Sequence, residues 1–380
     1  MPEYLPGKSR LTVISDTAMS GIIGKPAAFE PVVREIDQLA PSFKSVDWMG
    51  YKWVSSSPAN HKIPTSENIT MICVHATGGN TFKNKISILT HLPRYLSRIL
   101  YLIKNNHIVY TRGPSVPALL AILVSFFIKK KVYLHKYAGG WNLEHVPLSY
   151  ALQRWLLKKQ KRGHAIVSNA LENNSGHIIS LNNPCLTRDD IQNGFLAMKE
   201  KDYTKGFRIC FAGQCVPTKG IFKLLETINI LADNTMFAGC TIAGNGDENE
   251  LRMHLNQEAN QITTFSGILS RQDLNQIYAE SHFILLPSQS EGFPKVLAEA
   301  AAFGCVPITS NLPGFDKIIK NEVDGILLDD LSTENIYEKL TVAWADQRKM
   351  KKIANQAHQW SKEFSYNFFI QNINTILGAS

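Results

Sequence analysis

The stretch LLPSQSEGFPKVLAEAAAFGCVPI, residues 285–308, decides how this chain is to be read. It opens on a buried-strand run that ends at Pro287, passes through a loop of small residues, and enters a helix near Pro294. Proline suits a first helical turn, where its missing N–H would have no partner anyway. Gly292, Phe293, Lys295 and Val296 leave backbone N–H groups free at that helix start, and the positive end of the helix dipole adds to them. Such a terminus takes an anion, and a pyrophosphate fits. Glu291 lies just before the helix and Glu299 inside it. Eight residues of helical rise separate them by about 12 Å. That is too far for direct carboxylate pairing, but it suits two carboxylates gripping different parts of one long ligand. Carboxylates accept hydrogen bonds from sugar hydroxyls.

The same strand–loop–helix rhythm runs in both directions. Downstream, strands are expected at 306–309 and 325–328, then a mostly helical tail over 333–377. Upstream, strands at 207–212, 240–243, 262–265 and 283–287 alternate with helices at 221–231 and 274–280. Before a polar break at 182–202, strands fall at 11–15, 45–48, 68–75, 107–110, 132–137, 165–168 and 177–181, with helices at 29–39 and 116–127. Alternating buried strands and helices make an α/β protein with parallel, doubly wound sheets. A chain of 380 residues suits two such domains. The expected boundaries are 1–195, 196–360, and a C-terminal helical segment 361–380 packing back on the first domain, with the two domains facing a cleft.

Composition limits the class further. Hydrophobic residues are 44% of the chain and charged residues 19%, as in a soluble globular protein. The longest apolar run, residues 118–128, falls short of the about 20 residues of a bilayer span and reads as a buried helix. The N-terminus lacks the pattern of a signal peptide. Six cysteines without a C-x-x-C pair argue for free thiols, mostly buried, and against a metal site. The expectation is therefore a cytoplasmic protein.

The net charge of +8 is uneven. Residues 1–200 hold 24 Lys and Arg against 12 Asp and Glu. Between Lys83 and Arg162 there are 15 basic residues and one acid, Glu144. Trp155, Leu156 and Leu157 precede Lys158, Lys159, Lys161 and Arg162, a pattern of an amphipathic helix at an anionic membrane surface. No helix-turn-helix, zinc-finger or RNA-binding motif accompanies the basic residues, which argues against nucleic acid.

The 285–308 stretch resembles the E-x7-E motif of retaining GT-B glycosyltransferases of the large family-4, or group 1, type. GCVPI at 304–308, LPGF at 312–315 and DGILL at 324–328 are similar to that family's downstream strand, glycine loop and turn. FAGQCVPTKGI at 211–221 resembles its strand–G-R-x-x-x-x-K-G element, with Gln214 where arginine is usual, which removes one positive charge. IAGNGDE at 242–248, FSGIL at 265–269 and LNNP at 181–184 match further elements in order. The N-terminal half resembles the family in rhythm only. The usual Gly-Gly pair is missing, and Ser20, Gly21 and Gly24 stand in the corresponding loop. YLHKYAGGW at 133–141 resembles the K-Y-A-G-x-W stretch of some surface-polysaccharide glycosyltransferases.

The resemblance implies a nucleoside diphosphate sugar as donor, UDP- before GDP-linked, and no metal or cofactor. It implies that Lys219, Gly213, Gln214 and the helix start hold the diphosphate, that Gly21, Gly244 and Gly246 border it, and that Gly267 and Ile268 flank the base. It further implies that Glu299 takes the ribose hydroxyls, Glu291 the transferred hexose, and His135 the sugar and acceptor. The acceptor would be a glycan or lipid-linked glycan read by the N-terminal half, in lipopolysaccharide, exopolysaccharide or capsule assembly. The alternatives are a sugar-nucleotide epimerase or a non-catalytic binding protein on the same scaffold.

Overall fold

A computed structural model describes residues 4–20, 26–53, 61–77, 82–141, 146–168, 176–291 and 294–378, with the backbone alone over 82–89. The chain divides into two units. Unit 1 comprises Met1–Asn183 with Phe369–Ser380, and unit 2 comprises Pro184–Phe368.

Unit 1 runs β1 (Arg10–Ser20), β2 (Ala27–Phe29), α1 (Glu30–Leu39), β3 (Ser45–Lys52), β4 (His61–Lys62), β5 (Ile69–His75), α2 (Phe82–Asn105), β6 (Ile108–Gly113), α3 (Val116–Ser125), β7 (Val132–Tyr137), α4 (Leu148–Lys159), β8 (His164–Val167) and β9 (Ile178–Ser180). Its parallel strands lie in the order β5-β3-β1-β6-β7-β8-β9, and β2 and β4 add an antiparallel flap to the far end of β1. The local causes are plain. Pro31 sits in the first turn of α1, which buries Val32, Val33, Ile36 and Leu39 along one face. The Ser115 hydroxyl accepts the Ala118 N–H to cap α3.

Unit 2 runs α5 (Arg188–Glu200), β10 (Phe207–Ala212), α6 (Ile221–Leu231), β11 (Phe237–Ala243), α7 (Glu248–Arg252), α8 (Gln257–Gln261), β12 (Thr263–Gly267), α9 (Arg271–Glu280), β13 (Phe283–Leu286), α10 (Lys295–Ala302), β14 (Val306–Ser310), β15 (Ile326–Leu328), α11 (Thr333–Ala345) and α12 (Gln347–Ser361). All six strands are parallel, in the order β12-β11-β10-β13-β14-β15. Strand order reverses between β10 and β13 here, and between β1 and β6 in unit 1. Open α/β sheets bind ligands at such switch points, beyond the carboxyl ends of the strands.

Several expectations are corrected. The polar stretch 182–202 is not a break: Thr187 and Asp190 form a capping box that starts α5, which packs on α9 and α10. The unit boundary therefore falls at 183/184 instead of 195/196. The last helix, α13 (Tyr366–Leu377), sends Phe369, Ile373 and Leu377 into the core of unit 1, so the return to that unit begins at Phe369 instead of residue 361. The basic stretch after Lys83 hides α2, which buries Tyr95, Ile99, Leu102 and Ile103. The apolar run at 118–128 is not wholly buried, since Leu123 and Phe127 face solvent. Among the described residues no helix is long and apolar enough to cross a membrane. All six cysteines are free, and Cys185, Cys210, Cys240 and Cys305 are buried.

Candidate active site

The loops that leave β10, β11, β12 and β13 converge at the switch point of unit 2. The Gly213 N–H donates to Ala243 O at 2.9 Å, Cys215 N–H to Asn245 O at 2.9 Å, and Gly244 N–H to Gly267 O at 2.8 Å. These bonds stitch three loops into one floor. Gly244 is there by necessity, since a Cβ on it would stand 1.6 Å from Gly213 O. Gly246 is packed against Cys215. Gln214 is exposed, Gly213 and Gly267 face open space, and Ile268 is exposed beside them.

A tight turn, Pro217–Lys219, then brings in Lys219. Gly220 follows at φ +76°, where a Cβ would meet Pro287 O at 2.1 Å. The β10 and β13 loops therefore touch, and the Gln289 N–H donates to Thr218 O across the contact at 2.9 Å. The result is an ion pair between Lys219 Nζ and Glu291 Oε1 at 2.5 Å. The Ser288 hydroxyl donates to the same carboxylate oxygen at 3.0 Å. Glu291 is enclosed while Lys219 keeps 29% of its side chain open, so the ammonium retains donors for an incoming anion. α10 begins shortly after Glu291 in the chain, and among the described residues no side chain caps it. The backbone N–H groups of Lys295 and Val296 thus remain available to a phosphate. The Lys295 ammonium turns away and donates to Pro184 O at 3.3 Å, so this residue offers backbone but not charge. Gly292 and Phe293 lie outside the described residues, as do Gly21 and Gly24 in unit 1. Ser20 is not in a loop but closes β1.

Glu299, one helical face away, is 8% exposed and is held by Arg271 Nη1 at 2.6 Å. Arg271 Nε stands 3.8 Å from Asp190 Oδ1, tying α9 to α5. Burial works against the guanidinium charge, but the Glu299 and Asp190 carboxylates outweigh it and raise the Arg271 pKa. Sequence reasoning passed over Arg271. Its signal was electrostatic: a cation at the first position of a helix opposes the dipole and calls for a carboxylate partner.

His135 does not belong to an open site. It is 1% exposed in β7, its Nδ1 lies 2.9 Å from Thr111 Oγ1, and its ring stacks on Tyr133. Burial pushes its pKa down to about 3. β7 is an internal strand buried on both faces from Tyr133 to Tyr137, so His135 is enclosed and does not face an open site. The adjacent Lys136 pairs instead with Glu35 at 2.7 Å.

Residues 195–360 match the family described as glycosyl transferases group 1. Over that stretch the chain is similar to the group 1 glycosyltransferases. Two bacterial relatives align with part of the chain. The N,N'-diacetylbacillosaminyl-diphospho-undecaprenol alpha-1,3-N-acetylgalactosaminyltransferase of Campylobacter jejuni is 26% identical over 153 residues, 40% of this chain and 39% of that protein. The UDP-Gal:alpha-D-GlcNAc-diphosphoundecaprenol alpha-1,3-galactosyltransferase of Escherichia coli is 26% identical over 149 residues, 38% of each chain. The chain thus spans well under half the length of these two curated relatives. Across nearly the whole chain the fold is similar to that of Anabaena HepE in complex with UDP and glucose, with a TM-score of 0.64, 14% identity, and coverage of 98% of this chain and 100% of that one. Both units together carry the two-domain GT-B architecture. In unit 2, Lys219 and Glu291 lie on loops that leave the carboxyl edge of the sheet, and Glu299 lies in α10, which follows β13.

Proposed function

We propose that the chain transfers a hexose from a UDP-linked donor to a lipid-linked glycan, with retention and without a metal, in bacterial surface-glycan assembly. The observation that carries the proposal is the Lys219–Glu291 pair beside the uncapped start of α10, at the switch point of the unit 2 sheet. A departing diphosphate gains negative charge as the glycosidic bond breaks. Lys219 and the α10 N–H groups supply fixed positive charge where it develops, which is the electrostatic work a metal does elsewhere. Glu291 faces the hexose and Glu299 accepts from the ribose hydroxyls. The E. coli relative is named for UDP-Gal, and both relatives are named for undecaprenol diphosphate acceptors, which supports the donor and acceptor classes.

Glu299→Gln tests the ribose assignment while keeping the shape that packs on Arg271. UDP affinity is expected to fall about tenfold, the loss of one charge-assisted hydrogen bond. Titration calorimetry with UDP and 2'-deoxy-UDP reads it. Unchanged UDP affinity, or an unchanged preference for the ribo form, would remove Glu299 from the ribose.

The surface of unit 1 supports docking on an anionic membrane. Leu148, Leu152 and Trp155 lie along one exposed stripe of α4, at 90%, 45% and 55% exposure, and the stripe ends at Lys158 and Lys159. Phe127, 82% exposed, stands at the end of the neighbouring α3 beside Lys129 and Lys130. An apolar stripe bordered by lysines is the interfacial pattern. The protein is expected to sediment with phosphatidylglycerol vesicles and not with phosphatidylcholine vesicles, and Trp155→Ser to weaken that binding. Equal, negligible binding to both vesicles would sink this part of the proposal.

A further inference from the structure

We propose that unit 1 holds a pocket for an acidic sugar, a pyranose bearing a carboxylate or a phosphate ester, at the switch point of its own sheet. The proposal rests on the transferase reading and names the chemical class of the acceptor residue that docks there. A cavity of about 490 Å³ opens at the carboxyl ends of β1 and β6, and its described lining includes Asp16, Phe29, Trp53, His61, Arg112 and Pro114. Strand order reverses between those two strands, which is where open α/β sheets bind ligands. Phe29 and Trp53 offer the flat apolar faces on which sugar C–H groups stack.

The charge comes from behind the pocket. Glu35 accepts hydrogen bonds from Tyr110 at 2.6 Å, from Lys136 at 2.7 Å, and from Arg112 Nη1. One carboxylate therefore faces two cations, and the cluster keeps one surplus positive charge on side chains that are at most 14% exposed. Lys136 is sealed in at 3%, so the surplus reaches the cavity through Arg112. A guanidinium anchored by one Nη presents its remaining N–H groups as a fork that matches a carboxylate or phosphate. Asp16 lines the same cavity without a salt bridge among the described residues; burial raises its carboxyl pKa against a backbone hydrogen bond and the pull of the Arg112 charge, so it shares the field of that guanidinium. It suits a sugar hydroxyl at the rim. A neutral sugar offers the Arg112 fork only hydroxyl oxygens, whereas a carboxylate or phosphate ester meets it with two charged acceptors.

Ligand-observed NMR on the full chain, with methyl glucuronide, glucose 6-phosphate and methyl glucoside as probes, tests the proposal. The two acidic probes are expected to bind at least tenfold tighter than the neutral one, and the stronger of the two identifies the source of the charge. Arg112→Gln should bring all three to the affinity of the glucoside. Trp53→Ala should weaken all three alike. UDP binding in the same samples reports unit 2 separately, so loss of UDP binding with the acidic preference intact would fell the donor assignment and leave the pocket standing. A glucoside that binds wild type as tightly as the acidic probes overturns the proposal, as does an Arg112→Gln protein that keeps the preference. Should Arg112→Gln not fold, the wild-type comparison and Trp53→Ala still decide.

Discussion

Lys219→Ala is expected to lower nucleotide release from the donor by about 10²–10³-fold, on the order of 3–4 kcal/mol of transition-state stabilisation. The reason is placement. The ammonium is fixed on a tight turn against Gly220, is paired with Glu291 in the ground state, and remains 29% open toward ligand. As the diphosphate leaves, its growing charge competes with Glu291 for the same ammonium. The interaction therefore strengthens along the reaction, which is the condition for raising turnover rather than affinity alone. The loss should appear mainly in kcat. Lys219→Arg keeps the charge and should retain a measurable share of activity. The substitution to alanine also strips Glu291 of its cation, leaving Ser288 as its described partner. A thermal unfolding curve separates that cost from the catalytic one. Turnover within threefold of wild type would show that Lys219 does not face the leaving group.

Glu35→Ala is expected to destabilise unit 1 by about 3–5 kcal/mol, the cost of leaving buried cations without their carboxylate. Arg112 and Lys136 would both lose their partner, and the buried Tyr110 hydroxyl its acceptor. The two units need not unfold together, so the loss should appear as an early transition while UDP binding persists. Acid should act on the same unit in two stages. Burial raises the Glu35 carboxyl, but Arg112 and Lys136 outweigh that and hold it at about 2, below its unfolded value of 4.5. Its contribution is present above pH 4.5 and is lost as pH falls toward 2. His135 sits at about 3 against 6.5 unfolded. The unfolded chain takes the proton first, so this contribution is lost as pH falls below 6.5. Between pH 6.5 and 5 the histidine alone costs about 2 kcal/mol. Denaturant midpoints at pH 7 and pH 5 should therefore differ less in His135→Gln than in wild type. An equal difference in the two proteins would contradict the assignment.

Unit 2 was legible in the sequence because its strands are buried on both faces and read as unbroken apolar runs, such as FILL at Phe283–Leu286. Its glycines and Glu residues sit at loop ends, where spacing carries over directly into geometry. Unit 1 was less legible. α2 mixes Lys83, Lys85, Arg94 and Arg98 with its core residues and carries Pro93, so its period is masked by charge. α5 hid in a polar stretch, since its start depends on side-chain capping by Thr187 and Asp190 and little on an apolar stripe. His135 illustrates a different limit. β7 lies inside the sheet with both faces covered, and a sequence does not say which strands become internal. The Arg271–Glu299 and Arg112–Glu35 pairs join residues far apart in the chain, and their partners emerge only when helices dock.

The most direct test of the account is nucleotide release from a panel of UDP- and GDP-sugars, with and without a bacterial glycolipid extract, using Glu291→Ala as the control. Release is expected from one UDP-sugar and depends on both the extract and Glu291. No release from any donor, together with no measurable binding of UDP or GDP, would contradict it and leave a non-catalytic protein on a glycosyltransferase scaffold.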